Sequence, residues 1–165
     1  MTNDPLCDAA HGDVVLPPDL RRLVVVFDSP VAHEIALLAE RLGWPVASYD
    51  PLSGDLGPLG PDCDVVVCDH DRVELGDVLA EILKQPTRWV GVMGSPRHTA
   101  PHVAALRTRG FSAADIARVH RPIRLDIGSH TPVEIAISTI AGLIADRNGR
   151  SGGTYPHQNA AASST

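Results

Sequence analysis

Five consecutive apolar residues at positions 23–27 constrain the fold of this chain more than any other segment. An apolar run without polar alternation predicts a strand buried on both faces, as in a parallel sheet covered by helices. After this run come a helical apolar stripe over residues 31–42 (Ile35, Leu38, Ala39 and Leu42), a strand over 45–49 and a third over 64–69. This alternation predicts an α/β fold, a three-layer Rossmann-like domain with a doubly wound parallel sheet.

The second half of the chain continues the same alternation. We expect a helix over residues 74–84, a fourth strand over 88–93 and a helix around 99–109. The residues Thr131, Pro132 and Glu134 are typical of a helix start, with an N-cap, an N1 proline and a capping-box glutamate. They predict a helix that runs from there to about residue 148.

The length of 165 residues allows one domain. We assign that domain to residues 17–148. A loose N-terminal segment is expected over 1–16, and a disordered tail over 149–165, which is rich in Gly, Ser and Ala.

Charge and composition exclude several classes of protein. The net charge of −6 would repel a phosphate backbone, so nucleic-acid binding is not expected. The apolar runs are too short to cross a bilayer, and the polar N-terminus does not resemble a signal peptide, so we expect a cytoplasmic protein. Three cysteines without a CxxC pair predict neither a disulfide framework nor a structural zinc site.

The turn after the first strand stands where a dinucleotide-binding fold has its glycine-rich loop, but it reads Phe27-Asp28-Ser29. Asp50 lies 23 residues after Phe27, near the position of a ribose-binding carboxylate. Close approach of a pyrophosphate needs glycine, and Asp28 adds a negative charge. NAD(P) is therefore the less favoured ligand, and we expect Asp28 or Ser29 to cap the following helix.

The third strand ends in Cys68-Asp69-His70-Asp71. Two carboxylates and an imidazole at a strand end can bind a metal or move protons, but His70 and Asp71 can equally cap the next helix. No second ligand motif accompanies them, so we predict no metal site. Cys68 is interpreted as a core residue, because free cysteines are usually buried.

Two further loops have the chemistry of anion sites. Gly94, Ser95 and Arg97 combine a glycine turn, a hydroxyl and a guanidinium before a helix, and the alternative is an ordinary turn with Ser95 as N-cap. Asp126 and Gly128 precede the helix that starts at Thr131, and that loop suits a phosphate or a pterin-like ring. The alternative is that Gly128 only supplies a positive φ and Ser129 only assists the cap.

Three segments resemble a known family. They are WVGVMGSPRH at 89–98, RTRGFSAADIARVH at 107–120 and PIRLDIGSHTPVEIAISTI at 122–140. They are similar to the C-terminal Rossmann-like domain of the XdhC/CoxI family, over a range from Pro17 to about Arg147. The resemblance implies a role in maturing molybdenum hydroxylases, such as xanthine dehydrogenase and carbon monoxide dehydrogenase, through handling of the molybdenum cofactor.

The resemblance therefore implies a non-catalytic accessory protein that binds molybdenum cofactor, or a related phosphate-bearing ligand, and has a molybdenum hydroxylase as its client. In this interpretation Arg97 and the backbone of Gly94 and Ser95 meet the phosphate, while His70 and Asp126 bond to ring edges. The residues of this chain that match the family pattern are His70, Asp71, Gly91, Gly94, Ser95, Arg97, Asp126, Gly128, Thr131, Pro132 and Glu134. The candidate cofactor-binding residues are His70, Asp71, Gly94, Ser95, Arg97, Asp126, Gly128 and Thr131, together with Asp50. The alternatives are an NAD(P)-dependent oxidoreductase and a degenerate protein-interaction module.

The chain departs from the family in two ways. Members usually carry GAGHVA where this chain has Phe27-Asp28-Ser29-Pro30-Val31-Ala32, so this chain lacks the family's glycine-containing pattern at that turn. Fuller members also carry another domain before the Rossmann-like one. We therefore expect any function that needs both domains to come from a separate chain or from a homo-oligomer, or to be lost.

Overall fold

The computed structural model describes residues 21–94 and 100–153. Over these ranges the chain forms five strands and five helices. The strands are β1 (Arg22–Val26), β2 (Val46–Tyr49), β3 (Cys63–Val67), β4 (Trp89–Val92) and β5 (Val119–His120). The helices are α1 (Pro30–Arg41), α2 (Leu75–Leu83), α3 (Pro101–Thr108), α4 (Ala113–Ile116) and α5 (Pro132–Arg147).

All five strands are parallel, in the order β2-β1-β3-β4-β5. Val24 in β1 lies opposite Ala47 of β2 on one side and Val65 of β3 on the other. The direction of winding reverses between β1 and β3, which makes that junction the topological switch point of the sheet. The predicted doubly wound parallel sheet is confirmed.

Helices cover both faces of the sheet and explain the apolar run in β1. Leu23 and Val25 pack in the apolar cluster that includes residues of α1 and α5. Val24 and Val26 point the other way, into the cluster with residues of α2, α3 and α4. A strand between two helical layers needs apolar side chains at every position, because neither face meets water.

The helix starts form as the sequence predicts. Ser29 caps α1, and its Oγ accepts a hydrogen bond from the Ala32 N–H at 3.1 Å. Thr131 and Glu134 form a reciprocal capping box at the start of α5. One detail of α1 is wrong in the prediction: Leu42 was placed on its buried stripe, but it is the C-cap residue and 48% exposed.

The sequence did not predict β5. This strand has only two residues and pairs with β4 through Val90 opposite Val119 and Gly91 opposite His120. Its His120 ring stacks on the Trp89 indole, with ring centroids 5.1 Å apart. Two residues are too few to show an apolar run or an alternation, so only pairing with β4 defines the strand.

Some predictions fall outside the described residues. These are the loose segment over 1–16, all of the tail beyond residue 153, and the positions of Ser95 and Arg97 in the loop after β4. Within residues 21–94 and 100–153, no helix has both the length and the apolar character that spanning a membrane requires.

Candidate ligand-binding cleft

A cleft of about 210 Å³ opens at the carboxyl ends of β3 and β4. Helices α1 and α5 both begin at this edge of the sheet and each contributes a side chain to the wall. Open α/β sheets bind ligands at this edge, close to the switch point. The cleft is lined by Val31, Cys68, His70, Met93, Gly94, Ile123, Arg124 and Ile135.

The walls of the cleft are largely apolar, and its polar groups are few. Cys68 lies in the wall and also packs against the cluster beneath α1 and α5, which agrees with its interpretation as a core residue. Burial, with a smaller contribution from the Asp69 carboxylate, raises the pKa of the Cys68 thiol to about 12. Cys68 is therefore a neutral thiol at physiological pH and contributes no charge to the cleft.

The turn after β3 places His70 in the cleft but leaves Asp71 at the surface, with 84% of its side chain exposed. The N–H of Asp71 donates to Asp69 Oδ1 at 2.9 Å, and His70 Nε2 lies 3.6 Å from Asp71 Oδ1. These three side chains can bring one ligand atom each within 4.8 Å of one another. The hydrogen bond from the Asp71 N–H closes the turn on Asp69.

The loop before α5 uses its polar groups to start the helix. Glu134 accepts hydrogen bonds from the N–H groups of His130 at 2.9 Å and Thr131 at 3.0 Å, and these bonds lower the pKa of Glu134. Thr131 Oγ1 in turn accepts from the Glu134 N–H at 3.3 Å. Gly128 has a φ of +69°, as the structural alternative predicted. Asp126, Gly128 and Thr131 do not line the cleft, whereas His70 and Gly94 do.

Arg124 is a residue of the cleft that our sequence reasoning missed. Its Nη1 donates to Ser129 Oγ at 2.6 Å and to the Ser129 carbonyl oxygen at 3.2 Å. Ser129 is only 8% exposed, so the guanidinium is held by a buried partner. The signal was available, because Arg124 stands two residues before Asp126 in the motif that carries the family resemblance.

The Arg121 guanidinium lies against Gly94, and its charge acts on His102. A Cβ added to Gly94 would overlap the Arg121 guanidinium, so only glycine fits at this position with Arg121 where it is. His102 of α3 is buried, and its Nδ1 has no hydrogen-bond partner among residues 21–94 and 100–153. Burial, with help from the charge of Arg121, lowers the pKa of His102. His102 is therefore neutral at physiological pH.

A second cavity, of about 180 Å³, lies at the first turn, where a dinucleotide-binding fold holds its adenosine half. Asp50 is at its edge, but its carboxylate is already engaged. It accepts the N–H groups of Asp28 and Leu52, each at 3.0 Å, and both Nη atoms of Arg72. Burial alone would raise the pKa of Asp50, but these hydrogen bonds hold it below its ordinary value.

The turn itself is filled by Phe27. This residue has a φ of +69° and is 1% exposed, and the Arg72 guanidinium carbon lies 4.8 Å from the centre of its ring. Asp28 is paired with His33 at 2.6 Å. The Ser29 side chain occupies the Ala32 N–H, and Pro30 has no N–H. The start of α1 therefore offers few donors to a diphosphate.

The chain is similar to a known protein family, to a protein of Escherichia coli and to a solved structure. The family model described as the XdhC Rossmann domain matches residues 23–143. The uncharacterized protein YqeB of Escherichia coli is 28% identical over 155 residues, which cover 80% of this chain and 28% of YqeB. A crystal structure described as a xanthine dehydrogenase from Bacillus halodurans superposes with a TM-score of 0.60 and 19% identity, covering 83% of this chain and 45% of that one. The chain thus spans less than half the length of either protein.

Proposed function

This chain belongs to the XdhC Rossmann domain family, and on that premise we propose that it is an accessory protein in the maturation of a molybdenum hydroxylase. The client is an enzyme of the xanthine dehydrogenase or carbon monoxide dehydrogenase type. The cargo is molybdenum cofactor or a related phosphate-bearing ligand, which the protein binds and delivers. Catalysis is not part of this role.

The observation that carries the proposal is the cleft at the ends of β3 and β4. A pterin ring is flat and largely apolar on its faces, and the side chains of Val31, Met93 and Ile135 suit such a surface. His70 lies in the same wall and can hydrogen-bond to a ring edge. Arg124 supplies a positive charge for the phosphate of the ligand.

The partner protein is the client enzyme. The cleft opens at the carboxyl-terminal edge of the sheet, and we propose that the client enzyme meets the domain at this edge. The partners are proteins and the small-molecule cargo.

The test is recovery of a pterin from the purified protein. The protein is produced in cells that make molybdenum cofactor, then denatured under oxidising conditions, and released pterins are identified by fluorescence and mass spectrometry. We expect a pterin bearing a phosphate from the wild type and a large loss in Val31→Trp, which fills the cleft. Val73→Trp is the matched control, because Val73 is 90% exposed and lies outside the cleft. Release of a dinucleotide instead, or of nothing from any variant, overturns the proposal.

A further inference from the structure

We propose that the cleft recognises a phosphomonoester, that Arg124 binds this group and that Ser129 positions Arg124. The proposal deepens the function given above, and it rests on that function only in using the same cleft. It also predicts what the cleft rejects, namely a ligand whose phosphates form a diphosphate bridge to a second nucleoside.

Among the described residues, no carboxylate is paired with the Arg124 guanidinium. Its side chain is half-buried, and within residues 21–94 and 100–153 its hydrogen bonds go to Ser129 and to no carboxylate. Among the other arginines, the half-buried Arg72 pairs with Asp50, and the more exposed Arg88 and Arg109 pair with Asp64 and Asp77. A partly buried cation without a counter-ion is costly unless a ligand supplies one.

The geometry of the pair suits a phosphate. Both hydrogen bonds to Ser129 use Nη1, which fixes the plane of the guanidinium. The remaining donors on Nε and Nη2 are parallel, and they match two oxygens of one phosphate group. Ser129 lies two residues before Thr131, the N-cap of α5, and Arg124 itself lines the cleft at this edge of the sheet.

The nearby carboxylates have other hydrogen bonds. Asp69 accepts from the Asp71 N–H in the turn after β3, and Glu134 accepts from the N–H groups of His130 and Thr131 in the cap of α5. Asp71 has most of its side chain in water. None of these three acids is among the residues that line the cleft, whereas Arg124 is.

The turn after β1, at Phe27 and Asp28, disfavours a ligand that continues beyond one phosphate to a second nucleoside. A dinucleotide would have to pass from the cleft over the start of α1 into the second cavity. That route presents the Asp28 carboxylate, and the carboxylate of Asp50 at its end is engaged by Arg72.

The experiment is calorimetric titration with guanosine monophosphate, which joins a planar bicyclic ring to a phosphomonoester. Guanosine, inorganic phosphate and NAD are the companion probes. We expect Arg124→Gln to weaken guanosine monophosphate about tenfold or more, and to leave guanosine unchanged. The matched control is Arg22→Gln, which makes the same charge change at the amino end of β1, away from the cleft, and should keep wild-type affinity. NAD should bind at least about tenfold more weakly than guanosine monophosphate.

A second titration tests whether Ser129 acts through Arg124, by a comparison that a general loss of stability would not reproduce. Ser129→Ala should weaken guanosine monophosphate severalfold in the wild-type background and have no further effect in Arg124→Gln, because the serine acts through the arginine. Equal losses in both backgrounds would overturn the positioning role.

Three results would each overturn the phosphomonoester site. They are unchanged affinity for guanosine monophosphate in Arg124→Gln, binding of NAD as tight as that of the monophosphate, and no binding of either the monophosphate or inorganic phosphate by the wild type. The two proposals fail separately. A pterin can be recovered from the protein while Arg124→Gln leaves guanosine monophosphate binding unchanged, and Arg124→Gln can weaken that binding although no pterin is recovered.

Discussion

The carboxylate of Asp50 receives both Nη atoms of Arg72, at 3.1 and 3.2 Å. The two residues are 22 positions apart and come from the end of β2 and the turn after β3, on either side of β1. Arg72 also bonds to Glu74 and covers the Phe27 ring. The position that holds a ribose in dinucleotide-binding folds is thus occupied by the protein's own side chains.

Asp50 should make acid unfolding steeper. Because its pKa is lowered in the folded state, the stabilisation it provides is complete above the unfolded value of 3.8 and is lost as pH falls through the lower, folded pKa. Asp50→Asn should therefore destabilise the protein at neutral pH and flatten the loss of stability below about pH 4. Urea unfolding at a series of pH values measures this. Asp55→Asn, in the exposed loop, is the control, and identical acid limbs for wild type and Asp50→Asn contradict the prediction.

Phe27 should prefer glycine to alanine as its replacement. Truncation of a buried phenylalanine costs about 3–5 kcal/mol, but at a φ of +69° glycine avoids strain that alanine keeps. Phe27→Gly should be about 1 kcal/mol more stable than Phe27→Ala. At Phe111, which has no positive φ, the order should be the usual one, with alanine the better substitute. Chemical denaturation of the four variants decides the matter; alanine ahead of glycine at position 27 would show that the turn is unstrained.

Thr131 should matter for stability and not for ligand affinity. Its hydroxyl caps α5, so Thr131→Ala should cost about 1 kcal/mol of unfolding free energy. Our sequence reasoning placed Thr131 among the ligand-binding residues, and a loss of pterin or guanosine monophosphate affinity would restore that role. Thr108→Ala is the control, because its hydroxyl bonds to a carbonyl within α3 and caps no helix start.

Gly91 should tolerate no side chain. A Cβ there would overlap the Trp89 ring and the Ile123 side chain, both of which are buried. Gly91→Ala should therefore destabilise the protein by about 1–3 kcal/mol, a cost of packing in a residue that also belongs to the family pattern. Gly57→Ala is the matched control, because nothing lies within 4 Å of the added atom. Thermal unfolding that shows equal midpoints for the two variants contradicts this assignment.

Local sequence patterns predicted the strands and helices, but they did not predict contacts between residues that are far apart in the sequence. The apolar run of β1 and the caps at Ser29 and Thr131 depend on residues a few positions apart, so the sequence displays them directly. The pair of Asp50 with Arg72, and the packing of Arg121 on Gly94, join residues more than twenty positions apart through the register of the sheet. No spacing rule connects such residues, because their proximity arises only when parallel strands are placed side by side.

The residues of the cleft also divide into those that local patterns predicted and those that they did not. His70 and Gly94 were predictable because each directly follows a buried strand, where ligand-binding groups are expected. Arg124 follows the short strand β5, whose existence the sequence did not show. Polar loops before helices suit anions, and this is why the sequence assigns Asp126, Gly128 and Thr131 to the ligand. In the structure Thr131 caps α5 and Gly128 supplies a positive φ, so these two residues have structural roles in the loop.

The brevity of β5 has a consequence for the solution behaviour of the protein. A strand at the edge of a sheet presents unpaired backbone groups, onto which a strand of another molecule can add. With only Val119 and His120 in the ladder, that edge offers very little backbone for such addition. The fold thereby limits sheet-to-sheet aggregation along the side next to β4, without needing a charged or proline-containing edge strand.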